Sequence, residues 1–147
     1  MLVTRHTLAH ELTALNLLTR AAIVDGGFRV QEQIGRHRVF TVTSGDGARY
    51  LVKQATPAND TWKRRTISSE AKCLRFAADD ADLRPHVPAL IHLNEDRQLL
   101  IQEFIDGPNL YRDGIMDPAS RQKIAAEIGE TLATVHHRML PMVTDHG

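Results

Sequence analysis

The chain has 147 residues, 42% hydrophobic and 24% charged, with equal numbers of basic and acidic side chains; this suits one globular domain that needs no metal or disulfide to hold a core. A formal net charge of zero gives no general pull toward nucleic acid or anionic lipid, and Lys63-Arg64-Arg65, the one consecutive basic triplet, reads as a solvated helix face. A single cysteine, Cys73, excludes an intrachain disulfide and a cysteine-rich zinc site, and no apolar run approaches the roughly 20 residues that span a bilayer. The start of the chain does not fit a secretory signal, so the expectation is a cytoplasmic protein with neither nucleic-acid nor membrane partners.

Leu8, Leu12, Leu15 and Thr19 recur at helical spacing, with Leu18 close by, which predicts an amphipathic helix over 7–20, with Asp25-Gly26-Gly27 as its breaker. Strands follow at about 28–34 and 39–43 around the polar turn Gly35-Arg36-His37-Arg38. Ser44-Gly45-Asp46-Gly47 is a hairpin signal, because glycine tolerates the positive φ of tight turns; a third strand occupies 49–54. Asn59 or Asp60 can cap a helix over about 62–78, with Ile67, Ala71, Leu74 and Ala78 as its apolar stripe and Cys73 and Ala77 beside it. The stretch 79–88, acidic and with two prolines, reads as a loop. Two more strands, about 89–93 and 98–105, flank the turn Asn94-Glu95-Asp96-Arg97. Asp106-Gly107-Pro108 begins a linker, and Asp117-Pro118 starts a closing helix with Ile124, Ile128, Leu132, Val135 and Met139 on one face. The order α-βββ-α-ββ-α defines an α+β fold: a five-stranded antiparallel sheet with a packed helix, flanked by an N-terminal and a C-terminal helix.

Two side chains stand out. Alternation puts Leu51 and Lys53 on one face of the third strand, opposite Tyr50 and Val52; a lysine there can snorkel to water. Glu70 shares the buried stripe of the following helix, three residues after Ile67 and four before Leu74. A carboxylate on that face is costly without a partner, and a helix packed on the sheet would bring it to Lys53. The alternative is a polar residue at the stripe's edge, among Ser68, Ser69 and Lys72.

Three strands with a lysine ending the third, a helix with an inward glutamate, then two strands and a linker resemble the amino-terminal lobe of the protein-kinase-like superfamily. Val87-Pro88-Ala89-Leu90 and the run Leu99 to Leu110 (LLIQEFIDGPNL) look like the last strands and hinge of its aminoglycoside phosphotransferase and small-molecule kinase branch. Leu132-Ala133-Thr134-Val135-His136 is similar to that branch's first carboxyl-lobe helix. The resemblance covers about 27–138 and implies a division into an N-terminal helix (1–24), a kinase-like lobe (25–110), and a linker with the first helix of a second lobe (111–147). It also implies roles. Lys53 would contact the α- and β-phosphates of ATP, with Glu70 holding it. Glu103 and Ile105 would meet adenine through backbone groups, leaving their side chains unconstrained; Gln102 would limit the back of the pocket, and Leu51 and Ile34 would roof it.

Two departures qualify the likeness. Of the phosphate-covering pattern G-x-G-x-x-G-x-V, Gly35 and Val42 match, while His37 and Phe40 replace glycines; Arg36, His37 and Arg38 either supply charge to the phosphates or form a solvated turn. No H-G-D or H-R-D loop occurs, so catalytic and metal-binding carboxylates are not legible. The expectation is therefore an ATP-binding lobe inactive alone, with Mg2+ bound only when a carboxyl lobe completes the site, and with such a lobe or a second copy as partner. The alternative is a pseudokinase-like protein-binding module. Lys53 far from Glu70 would instead mark an unrelated α+β domain. His6 and His10 lie one helical turn apart, but His10-Glu11-Leu12-Thr13-Ala14 lacks the second histidine of H-E-x-x-H.

Overall fold

The computed structural model describes residues 2–34, 37–55, 61–107 and 118–144, with backbone only for Ile34, 61–65 and 141–144. Two helices, α1 (Arg5–Ala14) and α2 (Arg20–Val24), precede strands β1 (Arg29–Ile34), β2 (Arg38–Thr43) and β3 (Arg49–Gln54). Helix α3 (Thr61–Asp79), a 3-10 turn at Arg84–His86, β4 (Leu90–Asn94), β5 (Leu99–Glu103) and α4 (Pro118–Thr144) complete the order. The α+β class and the five-stranded antiparallel sheet are as the patterning implies, with strand order β1-β2-β3-β5-β4.

The N-terminal helix differs from expectation: there are two helices where the periodicity suggests one. Thr4 and Thr7 form a reciprocal capping box that starts α1 early. Asn16, at φ 58°, ends it in a Schellman turn, with the Leu17 amide donating to the Leu12 carbonyl and the Asn16 amide to Thr13. Asparagine adopts that left-handed conformation more readily than most residues. Thr19 leaves the apolar stripe and caps α2 through Ala22 N.

Register divides the sheet into two faces. Phe40 lies opposite Val52, and Val52 opposite Ile101; with Val42 and Leu99 they bury against Val3, Leu8, Leu12 and Leu18 of the N-terminal segment. The other face carries Val39, Lys53 and Leu100 in one row, and there Leu100 and Ala55 pack against Ile67, Ala71 and Leu74 of α3. Ala77 joins the buried stripe of α3 and Ala78 is exposed, the reverse of the expected assignment.

Polar contacts clasp the N-terminal segment to its face. The Val3 amide donates to Gln54 Oε1 (2.7 Å), Arg38 Nη1 donates to the Val3 carbonyl (2.8 Å), and Arg97 Nη1 pairs with Glu11 (2.5 Å). Gln54 is 1% exposed, an expensive place for an amide unless it is hydrogen-bonded; nothing in a strand pattern marks it in advance.

The β2–β3 hairpin closes through Gly47 at φ 88°, and Asp46 accepts from the Ala48 amide. That bond and one from Ser44 hold the Asp46 carboxyl below its ordinary value. Gly45 packs backbone to backbone on Gly27: a Cβ on Gly27 would stand 2.7 Å from Gly45 Cα. Gly27→Ala is expected to destabilise the protein by about 1–3 kcal/mol, because backbone has to move. A melting temperature equal to wild type would refute that account.

The closing helix α4 begins at Pro118 as expected, but Ile128 and Leu132 on its apolar face are 42% and 49% exposed. It is held instead from the side by Arg138, which pairs with Asp82 and Asp80 of the segment after α3. The expected α3 caps Asn59 and Asp60, the 108–117 linker with Asp117, the residues 145–147 and the side chains of Lys63-Arg64-Arg65 lie outside the described residues. Among the described residues no helix is long and apolar enough to cross a membrane.

Candidate functional site

The site grows from the sheet face that α3 covers. Strand alternation turns Lys53 toward α3, where Leu100, opposite it on β5, is fully buried. On α3, Ile67, Ala71 and Leu74 set the buried face and carry Glu70 along with them. Lys53 Nζ meets Glu70 Oε1 at 2.5 Å, and the side chains keep 21% and 33% of their surface. A pair this accessible adds little to stability, about 1 kcal/mol or less; its physical effect is to aim the ammonium group.

Two residues back along the same face, Leu51 lies opposite Gln102 of β5. Gln102 is 5% exposed, and its Oε1 has no hydrogen-bond partner among the described residues. A buried orphaned carbonyl costs about 1–3 kcal/mol unless water or a ligand supplies a donor. Glu103 ends β5 with an unforeseen task for its side chain: Oε2 accepts from the Ala89 amide (3.1 Å), while its own amide donates to the Ala89 carbonyl (2.9 Å). The strand stops there, short of the expected 105, so Ile105 lies beyond it and is 60% exposed. Gly35 is outside the described residues, and of Ile34 only the backbone, paired with Arg38, is described.

Arg49 is a residue that sequence reasoning missed. Its carbonyl accepts from the Phe104 amide (3.4 Å), its guanidinium lies 4.0 Å from the Phe104 ring centroid, and it pairs with Asp106 at 2.7 Å. It thus clasps the segment leaving β5. No spacing signal reveals it, because the β3–β5 pairing alone brings 49 beside 104–106. Asp106 is largely exposed, so Arg49→Ala is expected to cost only about 1 kcal/mol. Its larger effect should be faster amide exchange at Phe104 and Ile105; unchanged exchange there would show that Arg49 holds nothing.

The β1–β2 turn is divided between the faces. Arg38 belongs to the N-terminal side, bound to Glu32 and Val3 and lying 5.2 Å from the Phe40 ring centroid, so its guanidinium is committed away from the face of Lys53. His37 faces α3, its Nε2 2.9 Å from Thr66 Oγ1. Arg36 is outside the described residues. His6 and His10 are exposed, and no group of three or more metal-ligating side chains occurs among the described residues. A cavity of 630 Å³ between the 81–86 segment and α4, lined by Asp82, His86, His137 and Arg138 among others, contains none of Lys53, Glu70 or Gln102.

The antiparallel five-stranded sheet presents Lys53 of its third strand to Glu70 of the next helix, as the resemblance to kinase-like phosphotransferases implies. The model of the phosphotransferase enzyme family (APH) matches residues 32–145, about three quarters of the sequence. The chain belongs to that family. No curated protein and no solved structure matches it.

Proposed function

We propose that this chain is the ATP-binding lobe of a kinase-like phosphotransferase, and the Lys53–Glu70 ion pair is the observation that carries the reading. Family membership implies use of ATP and Mg2+ in general. In this reading the Lys53 ammonium offsets charge on the α- and β-phosphates, and Glu70 holds it in line. Leu51 and Gln102 bound the purine, and the Glu103 carbonyl and Ile105 amide meet its edge. The described residues offer Mg2+ no ligand set of their own, since Glu70 is committed to Lys53. The metal would therefore arrive on the nucleotide phosphates, with carboxylate ligands from a carboxyl lobe in the same chain or another.

The same lobe would supply the carboxylate that orients the phosphate acceptor, since residues 1–147 contain neither H-G-D nor H-R-D. Transfer by this chain alone is not expected. The exposed apolar side of α4, with Ile128, Leu132 and Leu140, supports docking of such a lobe. That exposure equally favours a second reading, in which the lobe is a non-catalytic binding module.

Calorimetric titration of the chain with Mg·ATP tests the first reading, with a dissociation constant in the millimolar range or weaker expected. No heat with or without an added carboxyl lobe of the family would leave the binding module as the better account.

A further inference from the structure

Thr66 and Glu70 are four residues apart on α3 and so project from one side of the helix, one turn from each other. Each reaches a different part of the sheet. Glu70 holds Lys53 at 2.5 Å, and Thr66 Oγ1 meets His37 Nε2 at 2.9 Å. His37 precedes Val39 by two residues, and Val39 is the register partner of Lys53. Because both reach α3, the imidazole and the ammonium lie on the same side of the sheet. Of the three basic side chains in the β1–β2 turn, Arg38 is committed to the opposite face; His37 is the one described on the face of Lys53.

We propose that Thr66 is a positioning residue for the phosphate-binding end of the site. Through His37 it ties the start of β2 to the helix that aims Lys53, so that one rigid body sets both the imidazole and the ammonium. The inference rests on the ATP-binding reading above. Its physical basis is that a helix moves as a unit: withdrawing α3 breaks both hydrogen bonds, and seating it forms both. A turn with one glycine has little freedom to approach phosphate by backbone alone, so a brace that places His37 compensates for the missing glycines. The ligand chemistry served is the polyphosphate of a nucleotide rather than its base, because Thr66 and His37 lie toward the Lys53 end of this face, away from Leu51 and Gln102.

The test compares Mg·ATP with adenosine, measured by calorimetry on the whole chain. Thr66→Val keeps the shape and removes the hydroxyl; it is expected to weaken Mg·ATP about threefold to tenfold, the worth of one hydrogen bond. Adenosine affinity should stay within about twofold, and Thr66→Ser should restore Mg·ATP affinity. Unchanged Mg·ATP affinity in Thr66→Val would overturn the proposal, as would equal losses for Mg·ATP and adenosine, which mark a merely structural role. Thr66→Val combined with Glu70→Gln should lose less than the product of the single effects, since either alone loosens the same helix; a full product counts against a shared brace. If wild type binds neither ligand, with or without an added carboxyl lobe of the family, the ATP-binding reading itself fails. If Lys53→Met loses Mg·ATP while Thr66→Val does not, that reading stands and the brace alone is lost.

Discussion

Lys53→Met is expected to weaken Mg·ATP binding at least about tenfold while moving the melting temperature by no more than a few degrees. A charge-assisted hydrogen bond to phosphate is worth about 1.5–3 kcal/mol, and about 1.4 kcal/mol is a factor of ten in affinity. Methionine fills the volume of the lysine stem but has no donor. The stability cost is small for a geometric reason: Lys53 and Glu70 both reach solvent, so water can take over the carboxylate left behind. Glu70→Gln should show a weaker form of the same result, because Lys53 keeps its charge and loses its aim. Calorimetry gives the affinity and a thermal melt the stability. An affinity within twofold of wild type would sink the phosphate-contact role, and partner-dependent activity fully retained in Lys53→Met would favour the binding module.

Phe40→Ala should do the opposite, unfolding the protein more readily through the face that the N-terminal segment covers. Phe40 is fully buried on β2, opposite Val52 and in one cluster with the leucines of α1. Truncation of a buried phenylalanine costs about 3–5 kcal/mol, part of it the cavity that remains. For a chain of this size that corresponds to a fall of roughly 8 °C or more in melting temperature. It also removes the surface on which Arg38 stacks. Amide exchange in α1 should therefore rise with the loss of stability, since Leu8 and Leu12 are buried in that cluster. A fall below about 3 °C would mean that the N-terminal segment is not part of the cooperative core.

The contrast between these substitutions follows from strand alternation. Val52 and Lys53 are neighbours in sequence yet point into different environments: one into a dry cluster closed by the N-terminal segment, the other toward α3 and solvent. That division was legible in the sequence, because period-two patterning assigns faces without knowledge of the partner. The inward position of Glu70 was legible for the same kind of reason, from its spacing to Ile67 and Leu74. What patterning could not supply was which elements cover which face. The break of the N-terminal helix depended on Asn16 accepting a positive φ and on Thr4 and Thr7 capping each other, short-range events that hydrophobic period does not register. The pattern left Arg38 open between a phosphate-site cation and a solvated turn, and the fold places it beside Val3 and Glu32.

The sequence by itself determined the class of fold, the order of its elements along the chain and the two charged residues singled out as candidates for the site. Each of these depends on local periodicity and on the cost of burying an isolated carboxylate, and both can be read along one chain. Tertiary structure alone decided that Lys53 and Glu70 touch, that Thr66 reaches His37, that Arg49 clasps the segment after β5 and that Gln54 is buried. Those facts join residues 17 to 57 positions apart, and the pairing of β3 with β5 and the packing of α3 on the sheet set their distances. A side chain's reach is a few ångströms, so its partner is chosen by packing, which composition and spacing do not encode.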